Sequence, residues 1–183
     1  ALLYTGIRPD RIRRVASLEG FGTPRTTPDM APAKYAEWLH QVADPPGFQP
    51  YASFEKVAER LKKNNPRLCG EKARFLAAHW ARQTDSGEVV LASDPAHKIT
   101  GATLYRMEEA IACWRRITCP VLWVAGSDGA IEKWIKDTPQ QTAERKGAFR
   151  DFTEKVIADA GHMMHHDQPE ALAQVIEAFF GAG

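Results

Sequence analysis

Short apolar runs alternate with longer amphipathic segments at both ends of the chain. Three runs stand out: Val15 to Leu18, Val121 to Ala125, and the stretch from Lys155 to Ala158. Such runs are typical of strands that are buried in a parallel sheet. The segments 104–114 and 172–180 carry apolar residues at helical spacing. Strands that alternate with helices in this way predict an α/β fold with a parallel sheet.

The middle of the chain has a different pattern. Helical stripes cover residues 35–42, 54–61 and about 71–82, with proline and glycine breaks between them. A turn at Asp85-Ser86-Gly87 and a short strand at residues 88–91 follow. This order predicts a core made of residues 1–23 and 101–183. Residues 24–100 are then a mainly helical cap, or lid, inserted after the first strand.

Candidate chemistry lies where the three strands end. Gly161-His162 follows the last strand, Glu19 follows the first, and Asp128 follows the middle one. Open α/β sheets place their ligand chemistry at the carboxyl ends of their strands. A carboxylate at the end of an apolar run is costly to bury without a partner, which favours a role for Glu19. Asp128 precedes a glycine, and Asp-Gly is also a common turn.

Composition narrows the choice of partners. The chain is 44% hydrophobic and 26% charged, and its formal net charge is +1. We therefore expect neither nucleic acid nor an anionic membrane as a partner. No apolar stretch approaches the roughly 20 residues that span a bilayer. The three cysteines are odd in number and lack zinc-type spacing, which predicts reduced thiols in the cytoplasm.

A histidine-rich segment raises the question of a metal site. His165, His166 and Asp167 follow His162 closely, and histidine and carboxylate are common zinc ligands. No second cluster in the sequence supplies further ligands, and Met163-Met164 is typical of packing. We expect no metal here.

Two segments together resemble the last third of an α/β-hydrolase. They are ITCPVLWVAGSDG and VIADAGHMMHHDQPEALAQVIEAFF. The segment RRVASLEGFG resembles the strand after the nucleophile helix, and residues 24–100 resemble the cap. The opening ALLYTGIRPDRI resembles the helix that follows the nucleophile elbow. The resemblance implies the carboxyl-terminal part of an α/β-hydrolase parallel sheet with a mainly helical cap insertion.

The resemblance assigns roles to the residues at the strand ends. His162 matches the catalytic histidine, which takes a proton from the nucleophile and returns it to the leaving group. The acid that orients this histidine usually follows a Gly-x-x-Asp spacing, and here that position is Gly129, so Asp128 stands one residue early. Some family members carry the acid at the position of Glu19 instead. Glu19 and Asp128 therefore stay alternative acids.

The family's nucleophile is absent from this sequence. It lies in a Gly-x-Ser-x-Gly elbow, and none of the five serines has that context: Ser17, Ser53, Ser86, Ser93 and Ser127. We expect the nucleophile, the oxyanion hole and the early strands upstream of Ala1 or on another chain. The remainder of the hydrolase core is then a partner, which would pair with the strand at Val15 to Leu18. This chain alone should be inactive.

The resemblance implies a serine hydrolase, or esterase, that acts on a small ester or similar acyl substrate without a metal or organic cofactor. One alternative is a hydrolase with an aspartate nucleophile, as in dehalogenases and epoxide hydrolases. Another is a non-catalytic, hydrolase-like binding protein, because one fold hosts several functions.

Overall fold

The computed structural model describes residues 1–129 and 131–181, without the side chains of residues 132 and 133. The chain divides into two units. One comprises Ala1–Thr26 and Tyr105–Gly183, and the other comprises Thr27–Leu104. The assignment of residues 24–100 as a cap stays a prediction.

The helices and strands of the described residues follow one another in this order: α1 (Leu2–Ile7), β1 (Val15–Leu18), α2 (Ala31–Ala43), α3 (Phe54–Asn64), α4 (Gly70–Trp80), β2 (Ala81–Gln83), β3 (Val89–Leu91), α5 (Met107–Trp114), β4 (Val121–Gly126), α6 (Ile131–Ile135), α7 (Pro139–Lys146), β5 (Phe152–Ile157), α8 (Met164–Asp167) and α9 (Pro169–Gly181). Short 3₁₀ helices cover Pro9–Arg11, Pro28–Met30 and Pro95–Lys98.

A three-stranded parallel sheet organises the first unit. Its strand order is β1-β4-β5, with Val15 paired to Val121 and Val121 paired to Phe152. This confirms the predicted parallel α/β sheet. In the described sheet β1 pairs with β4 alone, so β1 lies at an edge. Leu18, its last residue, is 39% exposed.

The central strand β4 is buried along its whole length. Because side chains alternate along a strand, Val121, Trp123 and Ala125 join the cluster that holds α5, while Leu122 and Val124 pack with residues of α8 and α9. Two helical layers therefore cover this strand, as its uninterrupted apolar sequence predicts.

The last strand departs from the prediction in two ways. It begins at Phe152, three residues earlier than expected, and it is not apolar throughout. Glu154, Lys155 and Val156 are exposed, and only Ile157 is fully buried. The physical reason is its position at the edge of the described sheet, where β5 pairs only with β4.

A buried arginine ties the chain after β1 to the segment around α7. Arg145 is 1% exposed and forms a two-point ion pair with Asp137, in which Nη2 lies 2.9 Å from Oδ1. Nη1 donates to the carbonyl of Phe21 at 2.8 Å, and Nη2 donates to that of Thr23 at 3.0 Å. The sulfur of Met107 lies 3.0 Å from Nη1. Every N–H of the guanidinium thus has an acceptor, which offsets its desolvation.

Aromatic rings pack around the same loop. The ring of Phe21 stacks on Trp123 with centroids 4.8 Å apart and on Trp114 at 5.8 Å. Phe149 and Phe152 complete the cluster. Stacked aromatic pairs stabilise beyond the area that they bury. The loop that leaves β1 is therefore fixed by packing as well as by Arg145.

The helical unit has a small core of its own. Helices α3 and α4 pack together, and the hairpin of β2 and β3 closes this core around residues such as Val57, Ala77 and Val89. The sequence predicted helix through Arg82, but α4 ends at Trp80 because residues 81–83 pair with β3.

Several aromatic positions of the helical unit are not core, although their spacing favours a core role. Phe54 and Trp80 are 37% and 41% exposed, Trp38 and Phe48 are half-buried, and Tyr51 packs partly buried against the core. Helix α2 forms as predicted, but none of its residues is buried. Periodicity predicts a helix with an apolar face, but it cannot say whether that face is covered.

We expect the Arg145→Met substitution to lower the free energy of unfolding by about 3–5 kcal/mol, because it leaves Asp137 buried without its partner. Thermal or denaturant unfolding measures this change. The control Arg116→Met removes an exposed arginine and should change stability by no more than about 0.5 kcal/mol. Equal effects of the two substitutions would show that the buried contacts of Arg145 do not stabilise the fold.

Candidate active site

Two side chains from opposite edges of the sheet meet at its carboxyl end. Glu19 directly follows β1, and His162 lies in the loop after β5. The Oε2 atom of Glu19 is 3.3 Å from Nδ1 of His162. The sequence predicted both residues as candidates from their positions after strands, and the structure brings these two together.

Glu19 is buried and held from two directions. Only 2% of the residue is exposed, its N–H donates to the carbonyl of Val124 at 2.8 Å, and Oε1 accepts the N–H of Gly126 at 2.9 Å. Its φ angle is 55°, in the left-handed region, which costs a non-glycine residue about 1–2 kcal/mol. Such conformations persist where surrounding contacts fix them, and they cluster at functional sites.

His162 contacts a buried carboxylate, yet most of its ring is exposed to solvent. Its side chain is 67% exposed, whereas that of Glu19 is 1% exposed. When Nδ1–H donates to a carboxylate, the neutral imidazole carries its free lone pair on Nε2. The pair can therefore present one basic nitrogen toward solvent while the carboxylate holds the other.

Close backbone approach between β4 and the histidine loop makes this meeting possible. A Cβ atom on Gly126 would lie 2.4 Å from the carbonyl oxygen of Ala160 and 2.6 Å from that of Gly161. The N–H of Asp128 donates to the same Ala160 carbonyl at 2.9 Å. Gly126 is thus required by the space between these two segments.

Asp128, the alternative acid, lies on an exposed turn after β4. Its backbone supports the histidine loop through Ala160, and the carboxylate next to Nδ1 of His162 belongs to Glu19. Asp128 thus lies on a turn in this structure, and the choice of Glu19 as the acid stays a prediction.

Asp167 has a role that the sequence analysis missed. Its position shortly before Pro169 is the usual sequence context of an aspartate that caps a helix, but Asp167 lies in the short α8, and α9 begins at Pro169. Its Oδ2 accepts the N–H of Gly161 at 2.9 Å, directly before His162. Gly161 and Asp167 are six positions apart in the sequence, so this hydrogen bond closes the loop on itself. Only the fold of the loop reveals this contact, because a capping aspartate has the same sequence context.

The histidine-rich segment after His162 bears on the question of a metal site. The rings of His165 and His166 contact each other edge to face, with centroids 4.1 Å apart. Within residues 1–129 and 131–181, no group of three or more histidine, cysteine or acidic residues is arranged to hold a metal ion.

Ser127 lies one residue beyond β4 and is exposed. Among the described residues no hydrogen bond joins it to His162, and its φ angle is not left-handed, unlike that of Glu19. A nucleophile elbow is a strained strand-to-helix turn, so the backbone at Ser127 does not form one.

Burial shifts the pKa values of Tyr105 and Cys119 in this unit. Burial raises the pKa of Tyr105, although the nearby Arg145 opposes the change. Burial also raises the pKa of the Cys119 thiol, which makes it a poor nucleophile at neutral pH. Cys69, Cys113 and Cys119 are all free thiols.

Comparison with known proteins identifies the family. A family model described as "Alpha/beta hydrolase family" matches residues 4–175. The chain belongs to this family.

None of the described helices is long and apolar enough to cross a membrane.

Relatives of this α/β-hydrolase chain are distant. A "Serine hydrolase-like protein" of Danio rerio is 22% identical in an alignment 190 residues long. This alignment takes in 97% of this chain and 56% of that protein. A thioesterase domain from the curacin biosynthetic pathway superposes with a TM-score of 0.77 at 19% identity, over 96% of this chain and 61% of that one. An esterase of Mycobacterium tuberculosis gives 0.70 at 19% identity, over 98% and 58%. This α/β-hydrolase chain thus spans little more than half the length of these proteins.

We expect Asp167→Ala to loosen the histidine loop, because the N–H of Gly161 loses a charged acceptor worth about 1.5–3 kcal/mol. Amide hydrogen exchange at Gly161 should become faster. Asp167→Asn keeps an oxygen in the same place, so its exchange rate at Gly161 should lie between those of the wild type and Asp167→Ala. If exchange at Gly161 were the same in wild type and Asp167→Ala, this hydrogen bond would not hold the loop.

Proposed function

We propose that this chain supplies the general base and its orienting acid to a serine hydrolase that acts on a small ester or similar acyl substrate. The contact between Glu19 and His162 carries the proposal. A buried carboxylate on Nδ1 of a solvent-facing histidine is the arrangement that general-base activation of a hydroxyl requires. The serine lies outside these 183 residues in this proposal, since no serine of the chain has an elbow context.

The mechanism follows from the two ring nitrogens. The serine Oγ attacks the acyl carbon while Nε2 of His162 takes its proton, and Glu19 stabilises the imidazolium through Nδ1–H. Backbone N–H groups, also outside this chain, hold the oxyanion of the tetrahedral intermediate. When that intermediate collapses, the imidazolium gives its proton to the leaving alkoxide. Water then attacks the acyl carbon of the acyl-enzyme while Nε2 of His162 takes its proton. The bond to the serine Oγ breaks, the imidazolium returns its proton to Oγ, and the acid product leaves.

The proposed function also includes a partner for the sheet and a cellular compartment. The remainder of the hydrolase core would pair with the edge of β1 that no other strand of the described residues covers. The free state of Cys69, Cys113 and Cys119 supports a reducing compartment, and we place the protein in the cytoplasm.

The position of the acid supports a second candidate function, that of a hydrolase with an aspartate nucleophile. Glu19 follows β1, where certain dehalogenases of the resembled family carry their acid, so an aspartate nucleophile is the alternative. There Nε2 of His162 would activate the water that hydrolyses the ester intermediate.

In the protein at its full length, we expect His162→Ala and Glu19→Gln each to lower kcat/KM by roughly 10⁴-fold. The first removes the base, and the second removes the charge that stabilises the imidazolium. Steady-state hydrolysis of a short-chain aryl ester measures both. His165→Ala and Asp128→Asn are matched controls and should retain activity. Full activity in Glu19→Gln, with loss in Asp128→Asn, would transfer the acid role to Asp128.

A fluorophosphonate probe separates the two nucleophiles, because it forms a stable adduct with an activated serine. We expect one adduct per molecule of the full-length protein by intact-mass measurement, and slow labelling in His162→Ala. Ester hydrolysis without any adduct would favour the aspartate nucleophile. If neither turnover nor an adduct is found, the binding-protein alternative is favoured.

A further inference from the structure

Gly129 lies against the carboxylate of Glu19. A Cβ atom at position 129 would be 2.5 Å from Oε1 and 3.2 Å from the carboxyl carbon of Glu19. Real Cβ atoms do not come this close to another heavy atom, so a side chain at 129 and the carboxylate in its present place exclude each other. The other neighbour of that Cβ, the Gly126 carbonyl oxygen, would be 3.0 Å away.

Backbone conformation does not explain the glycine. The glycines with positive φ among the described residues are Gly22 and Gly87, and Gly129 is not one of them. Any L-residue can adopt the φ of Gly129, so the constraint at this position is one of space.

The obstructing carboxylate is not free to move aside. It is the end of a side chain that is 1% exposed, and it is held by the N–H of Gly126 and by Nδ1 of His162. Its backbone is fixed at a φ of 55° and through the carbonyl of Val124. A shift large enough to admit a methyl group must break at least one of the two contacts of the carboxylate.

We infer that Gly129 is a positioning residue: its missing side chain provides the space in which the Glu19 carboxylate reaches His162. The inference rests on the proposed function only for its catalytic consequence. The structural part concerns the Glu19–His162 contact itself, which is measurable without any turnover.

A thermodynamic cycle in the full-length protein tests the steric part. Glu19→Gly removes the carboxylate and suits the left-handed backbone. We expect Gly129→Ala to lower the unfolding midpoint temperature in the wild-type background and to leave it nearly unchanged in the Glu19→Gly background. Gly101→Ala, at a position where a Cβ would meet nothing within 4 Å, is the matched control. Equal losses in both backgrounds would overturn the inference, since another neighbour would then be the obstacle.

The cycle stays informative if Gly129→Ala does not fold by itself. Recovery of folding in the Glu19→Gly/Gly129→Ala double variant would support the clash with Glu19. Failure of both variants to fold would overturn it.

The histidine tautomer supplies a readout that a merely structural role would not move. At a pH where the ring is neutral, ring ¹⁵N shifts should show His162 mainly as the Nδ1–H tautomer in the wild type. We expect Gly129→Ala to shift it toward the Nε2–H tautomer, as Glu19→Gly does, and Gly101→Ala to leave it unchanged. A folded Gly129→Ala variant with the wild-type tautomer would overturn the inference.

Turnover in the full-length protein separates this inference from the proposed function. If both hold, Gly129→Ala lowers kcat far more than it raises KM, by a factor near that of Glu19→Gln, on the order of 10³–10⁴. The kcat of the double variant Glu19→Gly/Gly129→Ala should be little lower than that of Glu19→Gly alone. A changed tautomer with unchanged turnover would leave Gly129 as a positioning residue and refute Glu19 as the catalytic acid.

Discussion

The burial of one carboxylate between three strand ends governs the architecture of this site. Glu19 leaves β1 in a strained conformation, and its side chain satisfies an N–H at the end of β4 and a ring nitrogen in the loop after β5. An unpaired buried charge would be costly, so each strand end must lie where the carboxylate can use it. The close approach at Gly126 and the absent side chain at Gly129 are both consequences of this requirement.

A second buried charge stabilises the chain just beyond the first. Arg145 holds the carbonyls of Phe21 and Thr23, which follow Glu19 by two and four residues, and Asp137 neutralises its charge. Replacing a buried ion pair by apolar packing is often neutral, whereas leaving one partner unpaired is strongly destabilising, so the pair disfavours any arrangement that separates its members. In this unit the fixed arrangement is the path of the loop that begins at Glu19. The stacked ring of Phe21 holds the same loop from its apolar side.

Sequence patterns predicted those features that depend on local order. Apolar runs predicted β1 and β4, and the rule that strand ends meet at one edge made Glu19, Asp128 and His162 candidates for one site without choosing between the two acids. The features that depend on distant neighbours were not predictable. The exposure of β5 follows from its place in the strand order, and the exposed face of α2 follows from what does not pack on it. Asp167 and Gly129 have plausible local explanations, as a cap and as a turn, so nothing in the sequence distinguished their actual contacts.

The same geometry indicates that the Glu19–His162 pair forms independently of whatever covers the edge of β1 that is unpaired within the described sheet. Every described contact of the Glu19 carboxylate comes from the end of β4 or from the loop after β5, on the side of β1 that is already paired. A neighbour added at the other edge would find acid and histidine in place, with the histidine side chain two-thirds exposed. Under the proposed function the requirement on that neighbour is then a narrow one: it brings a nucleophile to Nε2 of His162, and it need not organise the carboxylate.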